Sequence, residues 1–218
     1  MDLMSLTVFF NDFRTLIILV ACLMAYVVRP YDSNNRRLHY LFIYLILTLA
    51  SNIIAYSTRG MGNNIYLSYI ISPISLVLLT FLMMPSQAVN KTKMIIWILV
   101  ALCATLNIYE GFLMDGGVQQ FNSLSNTFSS IFLGALAIWG LIRLRFDQSI
   151  LNLSKEPMFW VFIAFAITNV GNILTTAFYR YAQSTDTNLL VTIAFVSILV
   201  SYISIGLVCI GFWKIKRR

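Results

Sequence analysis

Positions 157–180 form an apolar stretch long enough to cross a bilayer, yet the stretch carries several amide and hydroxyl side chains. Asn169, Asn172 and Thr176 fall at i, i+3 and i+7, so they share one face of a helix. Lipid tails offer these groups no hydrogen-bond partner, so the face is expected to point toward other helices or toward water. The chemistry available is neutral hydrogen bonding, either to a neighbouring helix or to a small polar molecule.

Similar side chains recur near one end of the other apolar segments. We predict that they line a polar pocket whose candidate residues are Asn52, Tyr66, Tyr69, Asn107, Asn122, Asn126, Asn169, Asn172 and Thr176. The alternative interpretation is that they only bind helices to one another, at about 1 kcal/mol or less each. The same side chains can line a pocket and bind helices to one another. Pro73, inside the third apolar segment, is predicted to kink its helix and is the candidate hinge.

Catalytic patterns are missing from the sequence. The single histidine, His39, has no Cys, Asp or Glu at ligand spacing, so no metal site is expected. No serine has the setting of a hydrolase nucleophile, and no two carboxylates are predicted to face each other. We therefore expect a protein that is not an enzyme and that carries no cofactor.

The charged side chains are expected at the ends of the apolar segments. The first helix begins either at Asn11 and Asp12, which suit a helix N-cap, or near Ser5, with Asp12 and Arg14 in its outer turns. The second start is favoured because it allows a fuller crossing, and Asp12 and Arg14 are interpreted as interfacial charges at a helix end. No Asp, Glu, Lys or Arg is expected near the middle of a span, where proton-coupled carriers usually have one. This expectation argues against a proton-coupled pump.

The composition is that of a membrane protein. Apolar residues make up 59% of the 218 residues and charged residues 11%, against about 45–50% and 25% in soluble domains. Runs of about 20 apolar residues recur along the chain. The predicted fold is an all-α integral membrane protein, one seven-helix transmembrane domain over residues 1–218, with spans at about 6–28, 38–56, 65–84, 94–109, 118–142, 157–180 and 189–213.

The basic residues predict the topology. Seven spans place the two termini on opposite sides of the membrane, and one side then receives 12 of the 15 basic residues. By the positive-inside rule the N-terminus is outside and the C-terminus is cytoplasmic. The charges form no basic stripe interleaved with aromatic residues, so the partner is the lipid bilayer and not nucleic acid. The 12 residues are Arg29, Arg36, Arg37, Lys91, Lys93, Arg143, Arg145, Lys155, Lys214, Lys216, Arg217 and Arg218.

An internal repeat is one further interpretation. The sequence around Asn52 in the second span resembles that around Asn172 in the sixth. Spans one to three and five to seven would then be parallel copies joined by span four, an arrangement found in transporters.

Three segments resemble a family of small membrane proteins. They are YLFIYLILTL at 40–49, NNIYLSYI at 63–70 and KEPMFWV at 155–161. Their order is similar to that of seven-span bacterial proteins of unknown function that are commonly encoded beside sensor histidine kinases. The entry to the sixth span reads Glu-Pro-Met-Phe-Trp here, a departure from the family's Pro-Glu-Phe-Trp-like order. The resemblance implies a signalling context in the bacterial inner membrane, with a membrane kinase as partner, and no established activity or site residues.

The functional expectation is a receptor-like sensor. Its outward polar pocket would bind a small neutral or zwitterionic molecule or a peptide end, and a separate partner would carry the signal. The alternatives are a uniporter or exchanger for a small polar solute, and an assembly subunit of a membrane complex. The sequence leaves the ligand, the partner and the oligomeric state open.

Overall fold

The structure is a computed structural model that describes residues 3–28, 36–58, 66–84, 89–114, 122–147, 152–185 and 187–216. Within these ranges, seven helices are long and apolar enough to cross a membrane. The predicted all-helical chain with seven membrane-length helices is therefore confirmed. A short 3₁₀ turn, Leu153–Lys155, precedes the sixth helix. The helices are α1 (Leu3–Val28), α2 (Arg36–Ser57), α3 (Tyr66–Met83), α4 (Asn90–Phe112), α5 (Ser123–Phe146), α6 (Pro157–Thr185) and α7 (Thr187–Lys216).

Several helices extend beyond the apolar windows that predicted them. The start of α4 takes in Lys91 and Lys93, and the end of α5 takes in Arg143 and Arg145. Polar and basic residues can form helix at membrane interfaces, and the arginines at the end of α5 also suit the negative end of its dipole. Positions 118–121, predicted to begin the fifth span, lie outside the described residues, and α5 begins at Ser123.

Arg14 lies in the middle of a helix. α1 begins at Leu3 and ends at Val28, so 11 helical residues precede Arg14 and 14 follow it. The apolar run 6–10 continues directly into Asn11, which begins no helix because the chain before it is already helical. The prediction that Arg14 lies near the end of its helix is therefore wrong, and a charged residue lies near the middle of a membrane-length helix.

Six helices form a ring. α1 packs against α2 and α7, and the ring continues through α3, α5 and α6, while α4 packs outside against α3 and α5. Sequential helices run in opposite directions. For example, Arg37 at the start of α2 donates a 3.3 Å hydrogen bond to the carbonyl of Met84, just after α3. We call the end of the bundle where α1 begins the N-terminal end.

The half of the bundle away from the N-terminal end is packed with apolar side chains. Leu41, Leu82, Phe162 and Phe212 are among its fully buried members. Large apolar side chains such as Leu23 are exposed on the outside of the bundle, as a lipid-facing surface requires. The apolar core thus fills one half of the bundle and leaves the other half to polar residues.

Glycines let α6 lie close to both of its neighbours. A Cβ atom built on Gly140 of α5 would lie 2.9 Å from the ring of Phe162, and one on Gly171 would lie 2.8 Å from Val200 of α7. Small residues at such positions allow helices to approach within a membrane, where packing is a main source of helix association. These contacts hold α6 between α5 and α7.

Replacing Gly140 tests this packing. Gly140→Ala forces a methyl group against the buried ring of Phe162 and should destabilise the protein by about 1–3 kcal/mol. Gly206→Ala is the matched control, because a Cβ there meets nothing within 4 Å. Thermal unfolding of the purified variants in detergent measures both effects. Equal unfolding temperatures for the two variants would contradict the packing described here.

Candidate functional site

A polar cavity of about 870 Å³ occupies the half of the bundle at the N-terminal end. All six ring helices line it, and α4 contributes no side chain among the described residues. Along α3 the lining extends from Leu67 to Leu79, roughly 18 Å at 1.5 Å per residue. The polar lining residues are Thr7, Asn11, Arg14, Tyr44, Ser51, Ser68, Ser72, Ser75, Asn126, Ser129, Ser130, Thr168, Asn169, Asn172, Thr175, Thr176, Tyr179 and Ser197.

The helical period explains why these residues meet. On α1, Thr7, Asn11 and Arg14 fall at i, i+4 and i+7 and therefore share a face. The predicted face of α6, with Asn169, Asn172 and Thr176, lines the same cavity. Four helices, α1, α3, α5 and α6, thus turn a row of polar side chains toward the cavity, while α2 adds Tyr44 and Ser51 and α7 adds Ser197.

A row on α3 is bonded to α5. The hydroxyl of Ser68 donates a 2.9 Å hydrogen bond to Oδ1 of Asn122, and that of Ser72 donates a 3.0 Å bond to Oδ1 of Asn126. Nδ2 of Asn126 in turn donates to Oδ1 of Asn122 at 2.8 Å. Two asparagines one turn apart thereby bind α3 to α5 beside the cavity.

Polar pairs also join α5 to α6 and α6 to α7. The hydroxyls of Thr127 and Thr176 lie 2.8 Å apart between α5 and α6, and Thr168 donates to Ser204 of α7 at 2.6 Å. Helix binding and cavity lining are therefore combined in the same set of residues.

Some polar groups that line the cavity form no hydrogen bond to a neighbouring helix. In the described part of the chain, no protein group hydrogen-bonds the carboxamide of Asn172; only its backbone carbonyl accepts bonds, from Thr175 and Thr176. Such a group, facing a cavity, is available to water or a ligand.

An aromatic pair marks the depth at which the cavity ends. The rings of Tyr44 on α2 and Phe165 on α6 meet edge to face, with centroids 5.6 Å apart. Leu79 and Leu133 line the cavity and also belong to the apolar core. The cavity thus extends from the N-terminal end of the bundle to the apolar core.

Arg14 is the one charged residue among the described residues that line the cavity. Its Nη2 donates a 2.8 Å hydrogen bond to Oδ1 of Asn52 and so links α1 to α2. Its Nε is buried and has no hydrogen-bond partner in the described part of the chain. A cation thus lies among neutral groups.

A smaller cavity of about 230 Å³ adjoins the first. Both cavities are lined by Arg14, Tyr44, Phe165 and Thr168, and the smaller one adds Asn52. The side chain of Arg14 therefore borders both spaces.

The predicted pocket residues fall into three groups. Asn126, Asn169, Asn172 and Thr176 line the large cavity, and Asn52 lines the small one. Asn122 is buried beside the cavity and bonded to Ser68 and Asn126, but is not part of its lining. The predicted residues away from both cavities are Tyr66, Tyr69 and Asn107, and Pro73 lies within α3 between two lining serines.

Asn107 belongs to a different polar cluster, in which Glu110 is the central residue. Glu110 was predicted to lie in a loop, but it lies within α4 and its side chain is buried. Its Oε1 accepts the backbone N–H of Leu124 at 2.9 Å, and its Oε2 accepts that of Ser125 at 2.6 Å. The first N–H groups of a helix have no partner within the helix, and a carboxylate there also suits the dipole. Glu110 thus positions the start of α5, which carries Asn126.

Sequence reasoning missed Arg14 and most of the serines. The signal was present, because Ser68, Ser72 and Ser75 fall at i, i+4 and i+7 and therefore share one helical face, as the i, i+3, i+7 set on α6 does. Among the described residues, no group of three or more His, Cys, Asp or Glu side chains is placed to hold a metal ion. The arrangement suits hydrogen bonding and charge pairing.

Comparisons with known proteins give no relative. No protein-family model matches the sequence, no curated protein is significantly similar to it, and no solved structure is significantly similar to its fold.

The two hydrogen bonds that Glu110 accepts from the start of α5, which we call the Glu110 cap, are predicted to stabilise the protein. Glu110→Ala leaves two backbone N–H groups of α5 without their acceptor, at about 1–3 kcal/mol for each that stays unsatisfied. Glu110→Gln keeps one acceptor oxygen and should destabilise the protein less. Thr105→Ala, at an exposed position of the same helix, is the control for thermal unfolding in detergent. Wild-type stability of Glu110→Ala would show that the cap contributes nothing.

Proposed function

We propose that this protein is a non-enzymatic, receptor-like membrane sensor whose cavity binds a small polar molecule. The observation that carries the proposal is the cavity itself. Its volume lies within the range of about 300–1,000 Å³ that is usual for small-molecule sites. Its lining is rich in hydroxyls and amides, and carboxamides such as that of Asn172 remain available to a ligand.

We place the N-terminal end of the bundle outside a bacterial inner membrane. The support is the distribution of basic residues, because 12 of the 15 fall on the opposite side in a seven-span chain. In this orientation the cavity receives its ligand from outside the cell, and the apolar half of the bundle faces the cytoplasm.

The signal would pass to a separate membrane partner. The connections between the helices on the side opposite the cavity are short, so these loops cannot hold an effector domain. The resemblance of residues 40–49, 63–70 and 155–161 to proteins encoded beside sensor histidine kinases makes such a kinase the proposed partner. Ligand contacts that favour one arrangement of the ring helices would supply the signal.

Pro73 is placed where a helix movement would begin. It lies in α3 between Ser72 and Ser75, both of which line the cavity. A proline removes one backbone hydrogen bond from its helix, so bending there has a lower cost. The Ser72 bond to Asn126 would couple such bending to α5.

A solute transporter is the second candidate. The observation in its favour is that α1–α3 and α5–α7 together form the ring while α4 lies outside, as two three-helix repeats with a linker would do. A structural subunit without a ligand is the third candidate, and a cavity of this size and polarity argues against it.

Recovery of the partner tests the sensor proposal. The tagged protein, purified from native membranes in mild detergent, should bring down a membrane histidine kinase detected by mass spectrometry. A tagged membrane protein of similar size and unrelated sequence is the control for non-specific recovery. Purification of the chain without any signalling protein would contradict the sensor proposal, and uptake of solutes into proteoliposomes would then test the transporter.

A further inference from the structure

We propose that the cavity binds a small organic anion and that the guanidinium of Arg14 holds its carboxylate. The inference rests on the proposed function, because it names the ligand class of the same cavity. It also replaces the neutral or zwitterionic ligand expected from the sequence, since that expectation treated Arg14 as an interfacial charge.

Among the described residues that line the two cavities, none carries a negative charge to balance Arg14. The side chain has one hydrogen-bond acceptor, the neutral carboxamide of Asn52, in the described part of the chain. The acidic residues that the structure describes are Asp12, Glu110, Asp147 and Glu156, and none of them lines either cavity.

A buried charge without a counter-charge is costly. An arginine at the centre of a membrane helix costs about 2.5–3.5 kcal/mol even by the mildest scale. A bound anion would offset part of this cost, because opposite charges attract each other more strongly in a protein cavity than in bulk water. The position of Arg14, 11 residues into α1, therefore favours a ligand that brings a negative charge to the cavity.

The donor geometry favours a carboxylate. A guanidinium has five N–H donors in a planar fork that matches two carboxylate oxygens. Asn52 accepts from one nitrogen, Nη2, and the described part of the chain offers the guanidinium no other acceptor. Nε is buried, so a ligand would bind the terminal nitrogens. Donors therefore remain for a second, charged acceptor.

The remaining lining would select the rest of the ligand. Asn126, Asn169 and Asn172 offer both donors and acceptors, and the serine and threonine hydroxyls do the same. No carboxylate in the described lining is available to balance an ammonium group. The ligand class is thus a small carboxylate with hydroxyl or amide substituents and net negative charge.

Charged thiol reagents can test the inference before any ligand is identified. Ser75→Cys places one thiol in the cavity, in a chain whose own cysteines are replaced (Cys22→Ala, Cys103→Ala and Cys209→Ala). The purified protein, in lipid nanodiscs, is treated with a methanethiosulfonate that carries a sulfonate and, separately, with one that carries a trimethylammonium. Each rate of modification is divided by the rate at which the same reagent modifies a free thiol in solution, which removes the difference in intrinsic reactivity between the two reagents.

The sulfonate reagent should react with the cavity thiol at least about tenfold faster than the trimethylammonium reagent, because the charge of Arg14 attracts one and repels the other. Arg14→Gln should abolish the preference and Arg14→Lys should retain it. Propionate, but not its neutral analogue propionamide, should slow the reaction in the presence of Arg14. A preference that persists in Arg14→Gln would overturn the inference.

Other outcomes separate this inference from the function proposed above. Equal protection by propionate and propionamide would overturn selection of anions and leave the binding cavity in place. Failure of both reagents to modify Ser75→Cys, while they modify an exposed control thiol at Tyr66→Cys, would overturn the water-filled cavity and both proposals. If Arg14→Gln does not fold, the inference is still tested in Ser75→Cys with Arg14 retained, by the reagent preference and by the protection with propionate.

Discussion

Every amide, hydroxyl and guanidinium group inside this bundle must find its partner in the protein or in water, because lipid hydrocarbon offers none. The six ring helices meet this constraint by turning polar side chains inward at the N-terminal end. Bonds such as Ser72–Asn126 and Thr168–Ser204 satisfy some of these side chains and join neighbouring helices. The groups left over surround a cavity of about 870 Å³. Helix association and ligand binding thus follow from the same requirement.

The rest of the architecture supports this division into two halves. Close packing through Gly140 and Gly171 fixes α6, whose polar face is the longest in the cavity. Glu110 on α4 holds the first turn of α5, so the helix outside the ring positions Asn126 without lining the cavity. The apolar core, with Phe162 at its centre, fills the other half and keeps the polar space at one end.

The sequence predicted the helices and much of the polar face, for reasons that are physical. Spans are long and apolar because the bilayer is thick. Asn169, Asn172 and Thr176 stood out because they share one face of a membrane-length helix, where lipid offers them no hydrogen-bond partner. Arg14 was misjudged because the sequence alone left the start of α1 open between Ser5 and Asn11, and the position of a charge in a span depends on that start. Tyr66 and Asn107 were expected in the pocket because they lie at the correct depth, but depth does not determine which way a side chain points. Only the packing of neighbouring helices determines that.

Both proposals require that the cavity holds water and opens at the N-terminal end, and labelling of intact cells tests this directly. A cysteine at Ser197→Cys, in the cavity lining of α7, is compared with one at Thr105→Cys, on the exposed surface of α4, both in the cysteine-free chain. A membrane-impermeant maleimide added outside should label Ser197→Cys and leave the lipid-facing Thr105→Cys unlabelled. Labelling of Ser197→Cys only after the cells are opened would show that the N-terminal end of the bundle faces the cytoplasm. Equal, negligible labelling of both thiols before and after opening would contradict the cavity itself.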